Sequence, residues 1–218
     1  MHDRRVDGKT LKFGNQGALF MSAMTWWDHG TQSIWSQPWG SAIDGPLSGT
    51  ALTLIPAAVV PWATWLKQHP KTTVVANGLD QGRGGITRVQ DDFVIGVALK
   101  DLATAYDFSL AASEQVINDR IGQYPVVVFV DAKARGIEVY LRRPVLPSQD
   151  IPGPSELVFK LDEGSRAVDV ETRSVWDITR GVAVEGPLRG AILQQIPWVS
   201  SFDWAWRDFF PHTTFYEG

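Results

Sequence analysis

The chain has 218 residues, ten tryptophans, no cysteine and a formal net charge of -4. Apolar residues make up 44% and charged residues 20% of the sequence, which is typical of a globular protein. The acidic balance, without a Lys/Arg cluster, argues against nucleic-acid binding. No stretch approaches the roughly 20 apolar residues of a membrane span. Without cysteine, disulfides and thiolate metal sites are excluded within these residues.

The first part of the chain ends in a short predicted helix. Residues 33–35 form a β-prone run with a tryptophan, and the glycines and proline of residues 45–49 predict a turn. Pro61 suits the first turn of a helix, and Trp62, Trp65 and Leu66 follow at helical spacing. We therefore expect a β unit that a helix closes before Pro70.

The same pattern recurs 141 residues later. Residues 28–73 align without gaps to residues 169–214, and 17 of the 46 aligned residues are identical. The repeat predicts strand, turn and helix in both segments, related by pseudo-symmetry.

Between the two segments, residues 92–142 are predicted to be mainly β structure. Strands are expected at 93–99 and 103–106, a helix from Leu110 to Val116, and a central strand at 124–130. Only the second copy has such a front half. The chain is therefore predicted to be mainly β (α+β), a duplicated β-rich unit with a short helix closing each copy. Residues 1–77 are assigned to the back half of the first repeat, 78–91 to a linker and 92–218 to a complete second repeat.

Several segments resemble the prokaryotic family known as domain of unknown function 3179. They are Asp3-Arg4-Arg5-Val6-Asp7-Gly8, Ser33-Ile34-Trp35-Ser36-Gln37, Gly45-Pro46-Leu47-Ser48-Gly49, Val94-Ile95-Gly96-Val97, Ser174-Val175-Trp176-Asp177 and Gly186-Pro187-Leu188-Arg189-Gly190. The resemblance covers nearly the whole chain. It implies that the chain lacks the front half of its first repeat.

Members of that family carry a Cys-Pro-x-Cys element just before the Asp-Arg-Arg segment, and this chain begins after that point. The resemblance therefore leaves two hypotheses. The first is a non-catalytic binding or scaffold module that needs no cofactor. The alternative is an extracytoplasmic redox or metal-dependent enzyme whose cysteine-containing half lies upstream. As written, no apolar signal core follows Met1, which predicts a soluble, cytoplasmic chain, whereas a missing upstream signal would place it outside the cytoplasm.

Candidate ligand-binding residues lie in the first copy. Trp26, Trp27 and Trp35 are close in sequence and suit either a stacking platform for a flat ligand or the packing of a small core. Ser36 and Gln37 follow, where the second copy has Asp177 and Ile178, and suit either ligand contacts or loop hydrogen bonds.

No catalytic and no metal-binding residue is assigned. Met21, Met24 and His29 have soft-ligand character, but methionines fill gaps in cores more often than they bind metal. The chain has no Gly-x-Ser-x-Gly motif and no His-x-x-x-His spacing.

The missing front half predicts an association surface. Without its covering strands, the first copy is expected to expose an apolar face or a strand edge in its first 40 residues. We therefore expect a homo-oligomer or a partner chain there, with Phe13, Leu19, Phe20 and Trp26 in the contact.

Overall fold

The computed structural model describes residues 1–74, 89–148 and 153–218. The chain divides into two compact units. Unit 1 comprises Met1–Ala57, Val94–Tyr106 and Ile196–Glu217, and unit 2 comprises Ala58–Phe93, Asp107–Gln195 and Gly218. Neither unit is continuous in sequence. Of the predicted linker, residues 78–88 lie outside the described residues, and the predicted domain boundaries stay a prediction.

Short strands dominate the described residues. They are β1 (Arg5–Val6), β2 (Lys9–Thr10), β3 (Phe13–Phe20), β4 (Ala23–Asp28), β5 (Ile34–Ser36), β6 (Ser41–Asp44), β7 (Phe93–Leu99), β8 (Leu102–Asp107), β9 (Val116–Ile121), β10 (Tyr124–Asp131), β11 (Gly136–Val145), β12 (Phe159–Leu161), β13 (Ala167–Asp169), β14 (Val175–Asp177), β15 (Val182–Glu185), β16 (Ile192–Gln195), β17 (Val199–Phe202) and β18 (Thr214–Phe215). The helices are α1 (Trp62–Gln68), α2 (Phe108–Glu114) and α3 (Asp203–Phe209). The prediction of a mainly β fold with short helices is confirmed.

Unit 1 holds two four-stranded sheets, in the orders β3-β4-β5-β6 and β17-β7-β8-β18. The first sheet packs around Trp35, Ala42 and Leu52. The second packs Trp206 of α3 against Val94, Ala103 and Ala105. Gly96 permits this contact, because a Cβ atom there would collide with the Trp206 ring.

Unit 2 is built on an eight-stranded sheet in the order β12-β13-β14-β15-β16-β11-β10-β9. Its two edge strands meet. Asn118 of β9 donates through Nδ2 to the Phe159 carbonyl at 2.8 Å and accepts from the Phe159 amide at 2.8 Å. One side-chain amide thus replaces a pair of strand-to-strand hydrogen bonds and nearly closes the sheet into a barrel.

A buried aspartate organises the same turn in each repeat. Asp28 accepts hydrogen bonds from the Thr31 amide and hydroxyl and, at 3.1 Å, from the indole of Trp35. Burial would raise the pKa of Asp28, but the bonds from Thr31 and Trp35 bring it below its usual value.

In the second repeat, Asp169 makes the same contacts with Thr172 and, at 2.9 Å, with the indole of Trp176. A serine then joins each turn to the next loop. Ser33 accepts from the Leu47 amide at 3.0 Å, and Ser174 from the Leu188 amide at 2.9 Å. These equivalent networks explain why the repeat keeps these residue types, since each buried polar group needs its partner.

The helix predicted from Leu110 to Val116 instead spans Phe108–Glu114. Asp107 caps it by accepting from the Leu110 amide at 2.9 Å, which moves the helix start two residues earlier. The strands predicted at 93–99 and 124–130 match β7 and β10 closely, and β10 pairs on both sides, with β9 and β11. Among the described residues, no helix is long and apolar enough to cross a membrane.

Candidate functional site

A cavity of about 660 Å³ lies within unit 1. Its wall is largely apolar and includes Phe13, Trp26, Leu52, Trp206, Phe209 and Phe210. Its polar lining comes from His2, Arg4, Gln37, Ser200 and Ser201. A concave, mostly apolar site of this size with a few polar groups is the usual form of a small-molecule site.

His2 is fixed by backbone contacts. Its Nε2 atom lies 3.0 Å from the Gln37 carbonyl oxygen, and a carbonyl only accepts, so Nε2 carries the proton. The ring meets Trp26 edge-on, with the centroids 5.6 Å apart. Burial and the nearby charged N-terminus lower the pKa of His2, although the bond to Gln37 opposes them. His2 is therefore neutral at neutral pH.

Arg4 is the charged group of the cavity wall. Its guanidinium forms no ion pair within the described part of the chain, whereas the neighbouring Arg5 pairs with Asp3. Arg142 holds the equivalent position in unit 2 and is buried. It donates to the carbonyls of Val126 at 2.8 Å and Leu157 at 2.6 Å. Leu11 corresponds to Leu157, since the Leu11 amide donates to the Arg4 carbonyl as the Leu157 amide donates to that of Arg142. Arg4 is exposed, however, and in the part of the chain that the structure describes its guanidinium has no such backbone acceptors.

The two serines of β17 differ in their contacts. Ser201 donates to the Phe202 carbonyl at 3.2 Å. The Ser200 hydroxyl is buried and has no hydrogen-bond partner among the described residues, and the same holds for His2 Nδ1. Such atoms are costly unless something pairs with them. Neither serine hydroxyl bonds to the imidazole, so the described residues of the cavity contain no nucleophile paired with a base.

The structure separates the residues that the sequence grouped as a candidate site. Trp26 and Gln37 line the cavity. Trp27 instead stacks on His29, with the ring centroids 4.2 Å apart. Trp35 is fully buried in the core and Ser36 is buried beside it, and neither is a lining residue.

Sequence reasoning missed His2, Arg4 and the 199–210 segment. The repeat could have indicated His2 and Arg4. Asp3-Arg4-Arg5 aligns with Leu141-Arg142-Arg143, which places His2 at the position of Tyr140. No local pattern connects residues 199–210 to the N-terminus, since that contact depends on the fold.

No metal centre is apparent in the described ranges. They contain no group of three or more His, Cys, Asp or Glu side chains placed to hold an ion. Met21 lies exposed in the turn between β3 and β4, and His29 lies exposed against Trp27.

Unit 2 holds a second polar cluster, around Glu138. This side chain is 4% exposed, and burial raises its pKa to about 8. Its Oε2 atom accepts from Gln195 Nε2 at 3.0 Å. The Tyr140 hydroxyl donates to the Ile178 carbonyl at 2.6 Å. Glu138 is therefore mostly protonated at neutral pH.

The two β-rich units define a mainly β protein, and unit 1 contains an apolar, aromatic cavity. The sequence matches the model of the family described as protein of unknown function (DUF3179) over residues 1–84 and 86–213. The chain belongs to this family, as the sequence motifs predicted. No curated protein and no solved structure matches it significantly.

Proposed function

We propose that the chain is a non-catalytic binding module whose unit 1 cavity takes a small ligand with a flat apolar part and an anionic group. The observation that carries the proposal is the pairing, in one cavity, of an aromatic wall with the unpaired guanidinium of Arg4. Trp26 and Phe13 offer ring surface to a flat ligand. Arg4 offers the planar donor set that suits a carboxylate, sulfonate or phosphate.

Binding is favoured over catalysis by the state of the polar groups. His2 is neutral and spends its one donor on a backbone carbonyl. Among the described residues, the hydroxyls of Ser200 and Ser201 form no hydrogen bond with a base. A general base must be within hydrogen-bond reach of the group it activates.

The test uses anilinonaphthalene sulfonate, a flat aromatic anion that fluoresces when it leaves water. We expect saturable binding of one molecule per chain. Arg4→Gln and Trp26→Ala should each weaken it at least tenfold, and Ala205→Trp, which fills the cavity, should abolish it. Trp204→Ala is the matched control, because Trp204 is exposed and outside the lining. Unsaturable binding, or binding that survives Ala205→Trp, refutes the proposal.

We further propose that the first 40 residues carry a self-association surface. β3 is an edge strand of its sheet, and Leu19 on it is 71% exposed. The other residues expected there are better covered. Phe13 packs on Trp26 and Trp35, and Phe20 packs on Trp39 and Phe209. The proposed contact is thus centred on Leu19 and the free edge of β3.

Sedimentation at micromolar concentration tests this contact. The chain should sediment as a dimer or larger species, and Leu19→Lys should shift it towards monomer. Lys12→Glu, an exposed change beside the strand, is the control for altered charge. A monomer throughout the micromolar range contradicts the proposal.

A further inference from the structure

In unit 1, one β-hairpin holds three elements of the second repeat. The hairpin consists of β7 and β8. β17 pairs with β7, and β18 pairs in parallel with β8 through Thr214 and Thr104. Between them, Trp206 of α3 lies on Gly96 and is only 2% exposed. The hairpin therefore provides the surface against which α3 packs.

The first repeat contains the same three elements in unit 2. Residues 58–61 correspond to β17, Trp65 to Trp206, and residues 73–74 to β18. The local geometry of the two helices agrees. The Trp65 indole donates to the Thr72 hydroxyl at 3.1 Å, and the Trp206 indole donates to the Thr213 hydroxyl at 2.9 Å.

In the described part of the chain, the first repeat has no corresponding hairpin to pack against α1. Trp65 is 37% exposed, Val59 is 42% exposed and Val74 is 58% exposed. α1 has no buried residue, whereas α3 buries Trp206 and Phe209. Residues 73–74 form no strand. The exposed apolar residues make up what we call the α1 patch: Val59, Trp62, Trp65, Leu66 and Val74.

The structure of unit 1 indicates what covers such a patch. We infer that the α1 patch docks a β-hairpin of a partner chain, with a glycine opposite Trp65. The described residues of a second copy do not supply it, because they contain two equivalent helices, α1 and α3, but a single hairpin of this kind, β7–β8, whose Gly96 already holds Trp206. Edge pairing to 58–61 and 73–74 would add main-chain hydrogen bonds to the apolar contact.

A peptide with the sequence of residues 92–107 is the probe, since Trp206 packs against this hairpin. Its matched control replaces the residue equivalent to Gly96 with leucine, which removes the room for an indole. We expect the glycine peptide to bind saturably. The leucine peptide should bind at least tenfold more weakly, and so should the glycine peptide to a Trp65→Ala chain. Trp204→Ala, an exposed change on α3, should leave the affinity unchanged.

An isolated hairpin is only marginally stable in water, so a second format is needed. Joining the same peptide to Met1 through a long Gly/Ser linker raises its effective concentration. Hydrogen exchange should then slow at residues 58–61 and 73–74 in the fused chain, and not in its leucine version.

Four outcomes would overturn the inference. They are equal binding of the two peptides, undiminished binding to the Trp65→Ala chain, unchanged exchange in the fused chain, and full protection of 58–61 and 73–74 in the free chain. The last result would mean that the chain itself already covers the patch, alone or as a dimer.

Discussion

His2 occupies in unit 1 the position that Tyr140 occupies in unit 2. Each side chain reaches a backbone carbonyl two residues after the repeated tryptophan, and each ring lies on a glycine with a positive φ. The equivalent partners are Gln37 and Ile178, Gly40 and Gly181, and Leu54 and Gln195. The repeat therefore extends to the start of the chain, and an imidazole on the cavity wall replaces a buried phenol.

The first prediction concerns the buried aspartates. Trp176→Phe keeps the ring but removes the indole donor to Asp169, a hydrogen bond to a charged group. We expect a loss of about 2 kcal/mol in the free energy of unfolding, and a similar loss for Trp35→Phe at Asp28. Urea unfolding followed by circular dichroism measures both. Trp204→Phe, on the surface, should change stability by less than about 0.5 kcal/mol. Losses no larger than that control would contradict a stabilising role for the indole–carboxylate bonds.

The second prediction concerns Glu138 and pH. Its pKa is raised to about 8, so the folded chain binds a proton that the unfolded chain has released between about pH 4.5 and 8. This group's contribution to stability is therefore present at low pH and decreases as pH rises, by up to about 1.4 kcal/mol per unit.

Unfolding free energies of Glu138→Gln and the parent chain at pH 5 to 8 check the sign. As pH rises, the unfolding free energy of Glu138→Gln should increase relative to that of the parent chain. Glu163→Gln changes an exposed carboxylate and should show no such trend. A parallel pH dependence for the parent and Glu138→Gln would show that Glu138 titrates normally.

The third prediction separates backbone strain from crowding. Gly181 and Gly190 both have a positive φ, of 62° and 89°, so alanine is strained at either site. A Cβ atom at Gly181 would also lie 2.6 Å from Cε1 of Tyr140, whereas at Gly190 the nearest atom is 3.7 Å away. We expect Gly181→Ala to cost about 1–3 kcal/mol more than Gly190→Ala. Thermal unfolding of the two variants compares them directly, and equal losses would rule out the contact with Tyr140.

The fourth prediction concerns the seam of the eight-stranded sheet. Asn118→Ala removes both hydrogen bonds to Phe159, so the Phe159 amide and carbonyl lose these partners. We expect a loss of about 2–3 kcal/mol and faster hydrogen exchange at the Phe159 amide. Gln194→Ala, exposed on β16 of the same sheet, should have little effect. Unchanged exchange at Phe159 would mean that Asn118 does not hold the two edges together.

Local patterns accounted for much of the fold. Asp28, Thr31, Ser33 and Trp35 lie within eight positions of one another, so the network among them forms from nearby residues and repeats wherever the pattern repeats. Runs of apolar residues likewise predicted β7 and β10, and Pro61 predicted the start of α1. Position in sequence did not predict which residues of the candidate site meet. Trp26 and Trp35 were grouped together, yet one lines the cavity and the other fills the core.

The repeat, the mainly β composition and the family could all be predicted from residue patterns in the sequence. Those depend on residue type and spacing over a few dozen positions. The environment of each repeated residue, in contrast, depends on contacts that exist only in the folded chain. Trp65 and Trp206 each lie in a short helix, donate a hydrogen bond to a threonine hydroxyl and precede a proline. Nevertheless, Trp65 is exposed and Trp206 is buried. The difference comes from Gly96, which lies 110 residues before Trp206 and contacts it only in the folded chain. Burial depends on what the rest of the chain places over a side chain, and local sequence does not record that.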